Sequence, residues 1–196
     1  VQVFIREKGI EIPTEQLNVR EGKQFLEPFT SMNPFHCVPF LELDDGTVIS
    51  ESISICRYLE EIYPNPALFG TTAETRAIID MWLRRFELDG FLPMLHAVRN
   101  HLENFKGRVI PGTRTDLPQV PQMVTRGIEM GKMFLERVEP HMAENEFVAG
   151  SRFSVADITA FFTIKLTTPL KIDINASYPG VAAWMDRMSK REAFNI

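Results

Sequence analysis

At 196 residues and 22.5 kDa, the chain is long enough for one large domain or two small ones, each with its own core. A net charge of −5, with no run of Lys and Arg, argues against nucleic acid as the main partner. No apolar stretch approaches the roughly 20 residues of a membrane span, and two cysteines, Cys37 and Cys56, make no secreted disulfide framework, so a reducing cytoplasm is the expected setting.

In chain order, residues 1–10 read as the end of an amphipathic helix stopped by Gly9. They carry no signal-peptide pattern. Residues 11–19 alternate apolar and polar side chains, which predicts a strand, and residues 21–32 read as a polar linker with helical stretches. A loop beginning at Asn33-Pro34 then delivers Val38-Pro39 into the short apolar run Phe40-Leu41-Glu42-Leu43. Asp44-Asp45-Gly46 predicts a tight turn into Thr47-Val48-Ile49, hence a hairpin. Ser50-Glu51-Ser52 opens a helix whose stripe is Ile55, Leu59 and Ile62, flanked by Ile53 and Cys56. Pro64-Asn65-Pro66 stops it and begins a linker to about residue 72.

Beyond residue 71 the strand signals vanish. Thr71 with Glu74 offers a capping box, and a long helical pattern follows through Met81, Trp82, Phe86 and Met94, with a kink expected at Pro93. Residues 106–117 are loop-like. Val124, Ile128, Gly131, Leu135, Val138 and Met142 then form a helical seam, in which Gly127 and Gly131 invite close approach of another helix. Ser154-Val155-Ala156-Asp157 is a capping box before an apolar helix, with Phe153 placed as a staple.

The first hairpin region carries the chemistry. A strand edge beside a proline offers backbone N–H and C=O groups on which an extended peptide docks as an added strand. Ser52 lies where the first N–H groups of a helix lack partners, a setting that favours an anion, and Glu51 beside it suits an ammonium group. The plainer reading of Ser50, Glu51 and Ser52 is a helix cap.

The run N-P-x-x-x-V-P-x-L at residues 33–41, followed by Glu51-Ser52, resembles the glutathione-binding half of the bacterial-type cytosolic glutathione transferases. The Ser154–Asp157 box and the closing segment from Tyr178-Pro179 through Trp184 and Met188 resemble their helical half. This resemblance implies an α/β plus all-α fold: a thioredoxin-like domain over residues 1–66, short of its first strand, and an all-helical domain over 73–196. It implies a cis bond before Pro39, the inexpensive cis case, with the Val38 backbone pairing with the cysteinyl unit of glutathione. It implies Glu51 and Ser52 at the γ-glutamyl end and the Cys37 position at the glycyl end; His36, beside the same loop, could bind the glycyl carboxylate, with a solvated loop histidine the commoner role.

The implied activity is glutathione transfer to a hydrophobic electrophile, with glutathione as cosubstrate and a homodimer as the assembly. The alternatives are glutathione-dependent disulfide or peroxide reduction, or a non-catalytic dimeric binding module. The thiol of glutathione ionises near pH 8.5, so the enzyme must stabilise the thiolate. The family does this from a loop expected upstream of Val1, leaving the catalytic residue open. Cys37 stands where many members carry Lys, and it lacks the charge that would meet the glycyl carboxylate. A free Cys is more often a small hydrophobe than a nucleophile. His96, His101 and His141 lack metal-ligand spacing, so no metal is expected. Met81, Trp82, Arg85, Phe86 and Met94 are candidates for an electrophile pocket, with helix–helix or dimer core the commoner role for each.

Overall fold

The computed structural model describes residues 1–195. Helix α1 (Gln2–Lys8) ends where glycine dictates: Gly9 takes φ 63°, and its N–H donates to the Arg6 carbonyl at 3.0 Å. Residues 11–19 do not form the expected strand. Alternation marks a face, but a strand also needs a partner backbone, and among the described residues β1 pairs only with β2. Pro13 has no N–H to offer, and the Thr14 hydroxyl donates to the Ile12 carbonyl at 2.9 Å. The following linker holds a 3-10 turn (Lys23–Phe25) and the short helix α2 (Phe29–Met32), as its composition suggests.

Strands β1 (Phe40–Glu42) and β2 (Val48–Ser50) are antiparallel, with Phe40 opposite Ser50 and Glu42 opposite Val48. Gly46 supplies the positive φ of the turn, 83°. Helix α3 (Ser52–Ile62) leaves directly from β2 and buries Ile55, Cys56 and Leu59. From there the chain is helical: α4 (Ala73–Arg85), a π-helical segment (Phe86–Phe91), α5 (Leu92–His101), α6 (Pro121–Glu144), α7 (Val155–Lys165), α8 (Ile174–Ser177) and α9 (Pro179–Ser189). The fold is thus α/β followed by all-α, with the sheet reduced to two strands.

Two local expectations shift. The cap of α4 is Thr72, not Thr71: the Thr72 hydroxyl accepts the Thr75 N–H at 3.1 Å, and Thr75 Oγ1 accepts the Thr72 N–H at 3.0 Å. Gly70, at φ 88°, turns the chain so tightly that a Cβ there would sit 2.8 Å from Thr75 Oγ1, which brings the shorter Thr75 into the place expected of Glu74. The kink expected at Pro93 lies just upstream, as the π segment. Pro93 cannot donate to the preceding turn, and the widened backbone absorbs the lost bond.

The α6 seam packs on α5 as its glycines suggest. A Cβ on Gly127 would stand 2.5 Å from the Pro93 carbonyl oxygen, and one on Gly131 2.8 Å from Met94 Cγ. Helix α7 is apolar nearly all round and runs through the core beside Trp184, Phe86 and Leu135. Glu139 of α6 accepts the Gly180 and Val181 N–H groups at 2.6 and 2.8 Å, placing a carboxylate on the first turn of α9.

Two buried polar clusters join the halves. Lys8 and Glu60 form an ion pair between α1 and α3. Lys8 Nζ also donates to the Tyr63 and Pro66 carbonyls at 2.7 and 2.6 Å, while Glu60 Oε1 accepts the Leu68 and Phe69 N–H groups at 2.9 and 3.1 Å. The Leu68 carbonyl then accepts the Val155 N–H at 3.0 Å, at the start of α7. There Asp157, fully buried, accepts from the Val148 N–H at 2.7 Å, the Ser154 N–H at 2.9 Å and the Ser154 hydroxyl at 3.1 Å.

Lys8→Met leaves the Glu60 carboxylate buried without its cation. It should cost about 3–5 kcal/mol in denaturant melts, and the double variant Lys8→Met/Glu60→Gln should recover part of that. A single-variant loss below about 1 kcal/mol would contradict the role given to the pair.

Asp157→Ala strands two buried N–H donors and should cost about 2–4 kcal/mol. Burial pushes the Asp157 carboxyl up to about 6, against the opposing pull of its Val148 and Ser154 hydrogen bonds. A folded-state value above the unfolded one, about 3.9, means that this group adds stability at low pH and loses it as pH rises through about 6. The Asp157→Ala penalty should therefore be larger at about pH 4 than at about pH 8. A carbon chemical-shift titration of the Asp157 side chain with its midpoint at the ordinary carboxylate value would refute this.

Candidate functional site

The loop at residues 33–39 is held by one buried side chain. Asn33 Nδ2 donates to the Cys37 carbonyl at 2.8 Å, Asn33 Oδ1 accepts the Phe35 N–H at 3.2 Å, and its carbonyl accepts the His36 N–H at 2.9 Å. This short circuit bends the chain, with His36 at φ 52°, and sets the Val38–Pro39 peptide, which is cis as the resemblance implies. Val38 is 42% exposed, and among the described residues its backbone makes no hydrogen bond. The unpaired N–H and C=O stand just before β1.

Phe40 and Ser50 are opposite one another, so residues 38–39 and 51–52 leave the hairpin at the same end. Glu51 takes φ 71° and ψ 125°, a conformation that costs a non-glycine residue on the order of 1–3 kcal/mol. Helix α3 has no side-chain cap: neither Glu51 nor Ser52 bonds to its first turn, and both are exposed. The plainer capping role is therefore not taken, and the N–H groups of that turn stay open beside the Val38 backbone.

His36 and Cys37 face the helical half. His36 Nδ1 lies 3.3 Å from the Gly112 carbonyl, and its ring lies 4.9 Å from that of Phe25. Gly112 sits so close to the Phe35 carbonyl that no Cβ fits, and a Cβ there would also come within 2.8 Å of Cys37 Sγ. The segment from 106 to 118 therefore folds over the loop. Burial pushes the Cys37 thiol up, the Glu51 carboxylate adds to that, and Arg99 of α5 opposes it. A thiol held protonated suits a packed side chain rather than a nucleophile.

Arg99 is a feature that the sequence pattern did not single out. Its Nη1 donates to the Arg108 carbonyl at 2.6 Å, its guanidinium lies over Phe105 at 4.8 Å, and its field reaches Cys37. It brings a cation toward the end of the loop where Cys37 supplies none. On the other side, burial raises the Glu87 carboxyl, Arg84 at 2.9 Å opposes this, and Asp80 and Glu51 add to it. The loop around Cys37 thus lies in the fields of one carboxylate, Glu51, and one guanidinium, Arg99.

The side chains considered for an electrophile pocket do not converge on one. Phe86 and Met94 are fully buried core, and Trp82 stacks on His141 at 4.1 Å with the Arg85 guanidinium 4.9 Å from its ring. Among the described residues, no group of His, Cys, Asp and Glu is placed to hold a metal, and no helix is long and apolar enough to cross a membrane.

Residues 1–62 match the family model for the glutathione S-transferase N-terminal domain, and residues 128–192 that for the C-terminal domain. A class Gtt2 glutathione S-transferase of Vibrio parahaemolyticus superposes with a TM-score of 0.83 at 35% identity, covering 100% of this chain and 89% of that one. A glutathione S-transferase domain-containing protein of Marinobacter aquaeolei VT8 gives 0.85 at 30% identity, covering 99% and 93%. Glutathione S-transferase 1 of Manduca sexta is 29% identical over 180 residues, 91% of this chain and 76% of the relative. A hairpin with an open backbone beside an uncapped helix, an all-helical second half and matches of this extent lead to one conclusion: the chain belongs to the glutathione S-transferase family.

Proposed function

We propose that this chain is a glutathione transferase that holds the tripeptide along the hairpin end, with the border between its two domains in the linker at residues 67–72. The observation that carries the reading is the unpaired Val38 backbone next to the uncapped start of α3. The cysteinyl unit adds to the strand edge at Val38, beside Pro39, through main-chain hydrogen bonds. The γ-glutamyl carboxylate takes the Ser52 hydroxyl and the open N–H groups of α3, and its ammonium faces Glu51. The glycyl carboxylate points toward His36 and Cys37, with Arg99 supplying the charge. This orientation sets the only cation of glutathione, at its γ-glutamyl end, beside Glu51. The thiolate then attacks an electrophile, for which the family reading expects a hydrophobic character.

A two-fold dimer goes with this reading. Met81, Leu88 and Leu92 are each roughly 40–50% exposed along the rod from α4 to α5, an apolar edge that a second copy would cover. We place the protein in the cytoplasm on its family and on its free cysteines.

Replacing Glu51 and Ser52 together by Ala removes charge-assisted hydrogen bonds worth about 1.5–3 kcal/mol each. Calorimetry on the full-length protein should show glutathione binding at least ~10-fold weaker, and an unchanged affinity would reject the assignment. Light scattering should give about twice 22.5 kDa. A mass near 22.5 kDa at micromolar concentration would reject the dimer.

A further inference from the structure

Cations that are scattered along the sequence gather in space beyond the segment that covers His36. Arg20, from the linker before α2, meets Lys106, Arg108 and Arg114 around a cavity of about 390 Å³, with Asp116 its single carboxylate. The chain as a whole carries a net charge of −5, so this local excess runs against its composition. Arg20, Arg108 and Arg114 form no ion pair among the described residues, and Lys106 meets only the exposed Glu103, at 3.8 Å. Like charges gathered without counterions repel. In a concave site their field concentrates an anion.

The cluster is held in place by contacts that leave its charges free. The Arg114 guanidinium lies 5.1 Å from the Phe25 ring, and Gly22, at φ 78°, admits it, since a Cβ there would collide with Arg114 Nη2. The Asn18 side chain accepts the Arg20 and Glu21 N–H groups at 3.1 and 3.4 Å and fixes the turn that presents Arg20. Arg108 donates to the Asn104 carbonyl and lies 5.8 Å from the Phe105 ring. The Thr115 N–H donates to the Gly107 carbonyl at 3.0 Å and closes the loop that carries Arg108 and Arg114. A guanidinium stacked on a ring keeps the N–H groups of its edge for a ligand.

We infer that this cavity is an anion site for a phosphate group, free or borne by a small phosphorylated compound, and that it is distinct from the site proposed for glutathione. Its wall contains none of residues 33–39, 51 and 52, so the inference stands apart from the glutathione reading. A phosphate monoester carries about −1.5 to −2 charges at neutral pH and three acceptor oxygens. That matches a wall of four cations and one carboxylate, three of the cations being guanidinium forks. A carboxylate, with one charge and two oxygens, leaves more of the cluster unneutralised. The volume is that of a small-molecule site, and the negative charge of the rest of the chain opposes a long polyanion. The bound phosphate takes part in no chemical step. It neutralises the repulsion among the arginines and ties residue 20 to the loop at 106–116, so it stabilises the folded chain by mass action.

The test is calorimetry on the full-length protein at about pH 8, where phosphate groups are largely dianionic. The probes are inorganic phosphate, phenyl phosphate and benzoate at matched ionic strength. Both phosphates should bind, benzoate at least ~10-fold more weakly than phenyl phosphate, and added salt should weaken each. Phenyl phosphate binding more tightly than inorganic phosphate identifies a phosphorylated compound as the ligand, and the reverse or equality identifies free phosphate. In Arg20→Gln/Arg114→Gln both phosphate affinities should fall at least ~10-fold, with the glutathione affinity unchanged. Lys106→Gln, at an exposed position, gives a second variant of the cluster and should lose affinity in the same direction. Thermal melts establish that each variant is folded and add a second readout. Phosphate should raise the Tm of the parent more than that of the double variant, and the difference removes the general stabilising effect of phosphate salts.

Absence of phosphate binding, binding indifferent to the arginine variants, or benzoate bound as tightly as phenyl phosphate would overturn the inference. So would displacement of phosphate by glutathione, which would assign the cations to the carboxylates of glutathione.

Discussion

The buried Lys8–Glu60 pair is the constraint on which the arrangement of the two halves depends. One ammonium and one carboxylate, both removed from water, are satisfied only if α1, α3 and the turn through residues 63–69 sit together. Lys8 takes the carbonyls of Tyr63 and Pro66, and Glu60 takes the N–H groups of Leu68 and Phe69. An apolar pair of similar volume would be about as stable. It would not specify the path of the linker, because apolar contacts have no direction. The ion pair fixes that path, and the Leu68 carbonyl passes it on to Val155, the first residue of α7.

The second cluster continues from there. Asp157 holds Ser154 and Val148 from within the core, so the N-terminus of α7 and the turn before it are a single unit with the linker. Phe153 packs edge-on against Phe147 and Phe194, and Arg191 forms a two-point pair with Glu7, at 2.9 and 2.7 Å, that brings the end of the chain back to α1. These contacts set how α5 stands against the hairpin. The charge of Arg99 of α5 is therefore felt at Cys37, and that of Glu51 at Glu87 of the π segment, without Arg99 or Glu87 belonging to the hairpin.

Backbone geometry at the site follows a different logic. Glu51 and His36 both adopt positive φ, although neither is glycine. Asn33 stabilises the first bend with hydrogen bonds to Phe35 and Cys37, and the strand register anchors the second. Strain kept at a pair of positions flanking an open backbone edge is consistent with pre-organisation for a ligand. It also leaves α3 without the side-chain cap that its Ser and Glu residues are chemically able to give.

The local sequence determined whatever depends on near neighbours. Gly9 ends α1, Asp44-Asp45-Gly46 makes the hairpin, Ser154 and Asp157 form their box, and Gly127 and Gly131 admit α5, because each rests on steric or hydrogen-bonding needs within a few residues or on one helix face. The Val38-Pro39 and Glu51-Ser52 pairs were legible for the same reason, as a loop, a turn and a helix start in fixed order. Residues 11–19 were misread because alternation says nothing about a partner backbone, and the α4 cap slipped by one residue because Gly70 sets the turn through φ rather than through side-chain type. Only the tertiary structure decided that Arg99 stands by Cys37, that Arg20 joins Arg108 and Arg114 about 90 residues away, and that Lys8 meets Glu60. Coulomb forces act through space, and a pattern read along the chain has no measure of that distance.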